Sequence, residues 1–379
     1  MNHQKLFLPV CLCTIFFLST YSSTAQKKTK PVIIGYVGGF RGNIIEPTSI
    51  DAKALSHINY AFVDIKDNRA WLHNEKNDTV NFRKLNELKN INSDLKIIIS
   101  IGGWTWSKNF SDAVLTDTST QNFAQSAVDI VSKYKLDGVD IDWEYPGMIG
   151  DSNVFRPQDR EHYTNLFKNL REKLDVLSKQ TNKKYFVTTA IGASPDFLQH
   201  TQMEEAQKYL DYINLMAYDF DESYDNMAGH HANLFTPSKM PYIHSADAAI
   251  QDLRKIGVQL SKVVMGMAFY GKGKVVESGE NNGLYQIPVN DVRGGGYTYL
   301  KDSVTNQNGF VRYWDDESKA PYLFNADKKI FITYDDEQSV KEKCRYIKKH
   351  KLAGAMFWEY SSDKKLYLLK VINEQFGYK

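Results

Sequence analysis

Eight short apolar, β-branched runs recur along this chain, too far apart to be joined by hairpins. They cover residues 32–37, 57–65, 95–101, 138–143, 185–191, 212–216, 263–270 and 353–358. Between them the apolar residues change period. Phe123, Ala127, Ile130, Val131 and Tyr134 form one helical stripe, and Tyr163, Leu166, Phe167, Leu170, Leu174 and Leu177 form another. Ile250, Leu253 and Ile256 form a third, closed by Gly257, and Val340, Cys344 and Ile347 the last. A strand that must pass through a helix before the next strand pairs in parallel, and eight such units close on themselves. The predicted fold is therefore α/β, a (β/α)8 TIM barrel. One gap is too long for a single crossover helix. Its Tyr285, Tyr297, Tyr299, Tyr313, Trp314, Tyr322, Phe324 and Phe331 predict a small α+β insertion over 272–335, between strands 7 and 8.

The fourth run contains an anomaly. Asp137-Gly138-Val139-Asp140-Ile141-Asp142-Trp143-Glu144-Tyr145-Pro146 places acids at alternate positions of a strand that otherwise reads as buried. Side chains alternate faces along a strand, so Asp140, Asp142 and Glu144 share one face, stepped roughly 6–7 Å apart. Three carboxyls facing one interior are costly unless they share protons and hydrogen bonds. Perturbed acids of this kind point to an active site, and strand C-terminal ends are where barrels place theirs. Glu144 falls at that end, and like charges plus burial would keep it protonated as a general acid. Asp137 has the opposite parity and reads as a structural partner at the strand's start.

The N-terminus reads as a secretory signal. Lys5 precedes an apolar run from Leu6 to Leu18, and Ser23-Thr24-Ala25 is a small-residue cleavage site. Residues 1–25 are thus an expected signal peptide, with residues 26–379 as the catalytic domain and the product exported, to the periplasm or outside. Cleavage near Ala25 would leave Cys344 alone of the three cysteines, without a partner for an internal disulfide. The apolar run is too short to span a bilayer comfortably, so no membrane span is expected in the mature protein. A formal net charge of +2 and a pI near 8.1 argue against nucleic acid as partner. Most of the 23 Tyr, 20 Phe and 6 Trp must be core, but this abundance also suits a cleft that stacks on sugar faces, and composition alone does not choose between the two. No metal-ligand cluster is apparent; His230-His231 reads as an adjacent pair in a solvent-exposed loop.

The run from Asp137 to Glu144 resembles the signature of glycoside hydrolase family 18, the chitinase family. Ser100-Ile101-Gly102-Gly103-Trp104 is similar to that family's third-strand motif, and Met216-Ala217-Tyr218-Asp219 to its sixth. Met265-Gly266-Met267-Ala268-Phe269-Tyr270-Gly271, Tyr334-Asp335-Asp336 and Gly354-Ala355-Met356-Phe357-Trp358 follow in the matching order. The resemblance runs from about Pro31 to Asn373. It implies hydrolysis of β-1,4-linked N-acetylglucosamine in chitin or chito-oligosaccharides, with retention and with the substrate's acetamido group as nucleophile, without metal or cofactor. Carried over by position, Glu144 would be the acid, Asp142 would orient the acetamido N–H, Asp140 would share a proton with Asp142, and Tyr218 would donate to the acetamido oxygen. Tyr36, Trp104, Tyr145, Met216, Asp219, Tyr270 and Trp358 would bind substrate, with Trp358 as the floor under the reacting sugar.

The pattern departs from the family in two places. Val37-Gly38-Gly39-Phe40-Arg41 lacks a tryptophan often found there, and Lys272 stands where an arginine is frequent. Rival readings are an endo-β-N-acetylglucosaminidase or peptidoglycan hydrolase of the same fold, and a non-catalytic chitinase-like lectin, whose usual lesion is at the position Glu144 occupies. In chitinases the insertion walls the cleft, so a shallow groove would favour a glycan endoglycosidase. The chain is expected to act as a monomer.

Overall fold

The computed structural model describes Met1 and residues 30–39, 42–224, 226–238 and 240–378. Its contacts divide the chain into residues 1–30 and 31–379. The expected signal peptide lies, but for Met1, outside the described residues. Among the described residues no helix is long and apolar enough to cross a membrane.

Eight parallel strands close a barrel: Val32–Gly38, His57–Lys66, Lys96–Gly102, Gly138–Asp142, Phe186–Gly192, Tyr212–Met216, Val263–Ala268 and Gly354–Trp358. Each pairs with its neighbours in chain order, and the first closes on both the second and the eighth. This is the expected TIM barrel, with strand bounds within one or two residues of those read from sequence. The seventh strand ends early, at Ala268. Tyr270 already belongs to a second sheet, because the chain leaves the barrel there to build the insertion.

The helical stripes pack outward-facing strand residues. In helix Asp159–Thr181, Tyr163, Leu166, Phe167, Leu170 and Leu174 are fully buried, each worth roughly 1.5–3 kcal/mol of burial. Cys344 is buried on helix Glu337–His350, the small core residue its stripe implied. Inside the barrel a separate cluster forms around Ile34, Tyr36, Ala61, Val264 and Met356. At the closed end Asp137 anchors the fourth strand, taking the Ile97 amide at 2.7 Å and the Lys89 and Lys183 ammoniums at 2.6 and 2.7 Å.

Between the seventh and eighth barrel strands stands a five-stranded antiparallel sheet. Its strands are Tyr270–Val276, Pro288–Gly296, Phe310–Asp315, Ala320–Asn325 and Ile330–Thr333, with helix Tyr297–Ser303 beside them. It has a small core of its own in Val276, Leu284, Tyr322, Phe324 and Phe331.

Candidate active site

Register explains how the acid ladder is held. Asp140 lies opposite Ser100 on the third strand and Thr188 on the fifth. Its Oδ2 accepts the Tyr36 hydroxyl at 2.8 Å and the Ser100 hydroxyl at 2.7 Å; its Oδ1 accepts Thr188 at 2.5 Å and the Asn214 amide at 3.1 Å. Four donors from four other strands fill both oxygens, a set of partners that suits an ionised carboxylate. Burial raises the Asp140 carboxyl above the usual range, and the four donors oppose that rise. The expected sharing of a proton with Asp142 is not carried by a direct hydrogen bond. The oxygens of Asp140 are already occupied, and no hydrogen bond joins the two acids among the described residues.

Asp142 is 4 % exposed, and its Oδ1 has no hydrogen-bond partner. It lines a cavity of about 860 Å³ at the C-terminal mouth of the barrel, together with Glu144. The loop after the third strand clamps both. The Gly103 amide donates to the Asp142 carbonyl at 2.7 Å, and the Ser107 hydroxyl donates to that carbonyl at 3.0 Å. Ser107 Oγ in turn accepts the Glu144 amide at 2.9 Å. Gly102 has φ +108°, and a Cβ there would stand 2.2 Å from the Asp142 carbonyl oxygen, so only glycine lets the loop approach this closely.

The electrostatics favour protons at this place. Burial, then the charges of Glu144 and Asp140, push Asp142 well above the carboxylate range. Burial also pushes Glu144 up to about 7, with the Tyr145 hydroxyl pulling down and the Asp219 charge adding to the rise. A carboxyl poised near neutrality over a buried acid pair can deliver a proton to a bound oxygen and later retrieve one from water.

The predicted aromatic positions converge. Tyr36, Trp104, Tyr145, Met216, Tyr218, Tyr270 and Trp358 all line the same cavity, as does Asp219, while Asp140 lies behind it. Trp358 stacks on Phe62 at 5.5 Å and meets Tyr36 at 5.8 Å. Trp104 is 52 % exposed, edge-on to Tyr145. Tyr218 donates its hydroxyl to Met356 Sδ at 4.0 Å. Trp143 is not part of the cleft: its parity sends it into the outer core, stacked on Phe110 at 5.0 Å. Sequence reading missed Phe62 and Trp106 in the lining, and Thr188 and Asn214 beneath it. A polar residue at an inward position of an apolar strand was the available signal for the last two.

Asp219 anchors a second cluster. Its Oδ1 accepts the Tyr270 hydroxyl at 2.7 Å and lies 2.9 Å from Lys272 Nζ, which is also 2.9 Å from Asp221 Oδ1. Burial would raise Asp219, but the His231 contact at 3.6 Å and the Lys272 charge hold it far below the usual range. His230 and His231 are both fully buried, contrary to the exposed loop expected. His230 pairs with Asp315 at 3.1 Å, which holds it in place, and His231 lies 3.6 Å from Asp219. Asp219, Asp221 and His231 also converge as metal ligands would, within 4.8 Å of one another. The Lys272 ammonium lies between the two carboxylates and supplies the balancing cation. Tyr270, at the root of the insertion, lines the cavity.

Barrel, cleft and poised carboxyl define the class, a (β/α)8 barrel with an acid–base site at its C-terminal mouth. A family model for glycosyl hydrolases family 18 matches residues 21–363. Chitinase A1 of Niallia circulans is 36% identical over 95% of this chain and 61% of its own length, so the chain spans under two thirds of that relative. Chitinase B of Serratia marcescens is 32% identical, over 83% of this chain and 74% of its own. Among solved structures, a family 18 N-acetylglucosaminidase from Paenibacillus barengoltzii superposes with a TM-score of 0.84 at 38% identity, covering 91% of this chain and 99% of that one. The chain belongs to family 18 of the glycosyl hydrolases.

Proposed function

We propose that this hydrolase cleaves β-1,4 linkages between N-acetylglucosamine units of chitin or chito-oligosaccharides, retaining configuration through the substrate's own acetamido group. The observation that carries this reading is the pairing of Asp142 and Glu144 in one cavity. The first offers a buried acceptor that none of the described residues satisfies, and the second is a carboxyl poised to hold a proton near pH 7. The names of the relatives, chitinases and an N-acetylglucosaminidase, support the substrate class.

In the proposed reaction Glu144 gives its proton to the glycosidic oxygen as the C1–O bond breaks. The acetamido oxygen closes on C1 with an electron pair, forming an oxazolinium ion. Asp142 accepts the amide N–H, orienting the nucleophile and offsetting the positive charge that develops. Tyr218 donates to the acetamido oxygen before attack, and Asp140, fixed by its four donors, keeps negative potential beneath Asp142. Glu144, now a carboxylate, takes a proton from water whose oxygen attacks C1 and reopens the ring. Tyr36, Trp104, Tyr145, Met216, Asp219, Tyr270 and Trp358 hold the sugars, with Trp358 as the floor. The scheme calls on no metal or cofactor.

The same proposal assigns residues 1–25 as a signal peptide, 26–379 as the catalytic domain with 272–335 inserted in it, export as the destination, and a monomer as the working form. A second reading follows from the near full-length match to an N-acetylglucosaminidase: removal of single sugars from a chain end. Incubation with defined oligomers tests both. Proton NMR should show the β-anomer first, and product sizes separate internal cleavage from release of monomers. Initial α-anomer would overturn the substrate-assisted scheme, and binding without product would favour the lectin.

A further inference from the structure

Asp159 is fully buried, yet it lies outside the cleft and takes no part in the scheme above. It opens the 23-residue helix Asp159–Thr181, where an acid would ordinarily serve the helix's own amides. Among the described residues none of its side-chain bonds goes there. Oδ2 accepts the Gly147 amide at 3.2 Å and the Arg156 amide at 2.8 Å, and Oδ1 accepts the Ser111 hydroxyl at 2.6 Å. Ser111 belongs to helix Phe110–Ala113, behind the loop that carries Trp104 and Trp106. Gly147 and Arg156 belong to the loop that carries Glu144, Tyr145, Met148 and Ile149. One carboxylate thus joins the backs of two loops that line the cavity side by side. Arg156 sends its guanidinium to Ser111 Oγ at 2.7 Å and to Asp112 at 2.6 Å, closing the ring of bonds. All three groups bonded to Asp159 are donors, a set that suits an acceptor with no N–H of its own.

The path from this carboxylate to the chemistry is short. Gly147 stands three residues after Glu144, at φ +64°, where a side chain would be strained and would meet His200 at 3.2 Å. Between them is Tyr145, whose hydroxyl bonds to the Glu144 carboxyl and opposes the rise that burial imposes on it. Further on the loop doubles back. A Cβ on Gly150 would stand 2.2 Å from the Glu144 carbonyl oxygen, and Asn153 ties Gly150 and Met148 together at 2.6 and 3.0 Å. The far part of the loop is braced by its own residues, and the near part by Asp159. We infer that Asp159 is a positioning residue: through the Gly147 amide it fixes the seat of Tyr145, and through Tyr145 the orientation of the Glu144 carboxyl. The inference rests on the acid role given to Glu144 above. Besides Tyr145, Glu144 faces Asp142 from its own strand, and Tyr218 and Asp219 from the sixth-strand loop. Among the described residues Asp159 bonds to none of these three, so Tyr145 is its route to the acid.

Asp159→Asn keeps the shape of the side chain and turns an N–H against one of the three donors. In turnover of a chromogenic chito-oligosaccharide kcat should fall about ten- to a hundredfold, the effect of a small misplacement of the acid. Affinity for an oligomer, read by calorimetry in the Glu144→Gln background, should stay within about twofold. With Tyr145 unseated its hydroxyl no longer favours the carboxylate, so the alkaline limb of kcat/KM should move up by about half a pH unit or more. A helix that had merely lost an acid would unfold at lower urea and leave kcat and that limb in place, which would overturn the inference. In a Tyr145→Phe background Asp159→Asn should move the limb no further, and an added shift would overturn the route through Tyr145. If Asp159→Asn does not fold, Gly147→Ala disturbs the same link from the loop without touching the helix. It should reproduce the loss in kcat and the upward shift, and a native limb there would overturn the inference as well. A native protein that turns over no chito-oligosaccharide would instead remove the function proposed above, and this role with it.

Discussion

Lys272 places its ammonium 2.9 Å from Asp219, on the same carboxylate oxygen that accepts the Tyr270 hydroxyl. It thereby ties the root of the insertion to the sixth-strand loop, and its second partner, Asp221, has a side chain only 5% exposed. Lys272→Met leaves that buried carboxylate with Lys274, at 3.8 Å, as its nearest cation. We expect a loss of about 1–3 kcal/mol in urea unfolding at pH 7, largely recovered in Lys272→Arg. Equal losses in both variants would show that shape rather than charge matters there.

Glu144→Gln keeps the size of the side chain and removes its proton chemistry. Turnover should fall by roughly three orders of magnitude or more while oligosaccharide affinity survives, read as kcat against Kd. Joint loss of both would remove Glu144 from the acid role.

Asp142→Asn replaces the unpartnered acceptor with a group that can present an N–H to the substrate amide. The acetamido oxygen would then be misplaced, and kcat should drop about a hundredfold or more. Kinetics near those of the native protein would rule out assistance by the substrate.

The pH profile follows from Glu144. Its folded pKa is raised to about 7 and the protonated form is the active acid, so activity is held below that pH and lost as pH rises through it. Asp219→Asn takes away a charge that helps hold the proton. The alkaline limb of kcat/KM should move down by about 0.5–1 pH unit. A limb that stays in place would mean that burial alone sets the value.

Tyr36→Phe and Ser100→Ala each remove one donor from Asp140 Oδ2. A donor to a carboxylate is worth about 1.5–3 kcal/mol, so each variant should raise the Asp140 pKa and cut kcat about tenfold with little change in KM. A change confined to KM would make the network a device for substrate binding rather than for charge.

Much of this site was legible because it depends on local parity. Asp140, Asp142 and Glu144 had to share a face once residues 138–142 were a strand, and Trp143 had to take the other. The cluster around Asp219 was illegible for the converse reason. Lys272, Asp221 and His231 come from separate loops and the insertion, and no periodicity links them. His230-His231 read as exposed because two adjacent polar residues in a loop carry no sign of the acids, Asp315 and Asp219, that fold back to meet them.

Strand count, order and inward parity were determined by the sequence alone, since the periods of 2 and 3.6 are written into neighbouring residues. What only the tertiary structure decided was which side chains meet. Tyr36 reaches Asp140 across 104 positions, and the four donors converge on it because barrel closure and strand register set their heights. That convergence is a property of the closed sheet and of no single segment, so the chain's order of residues does not display it.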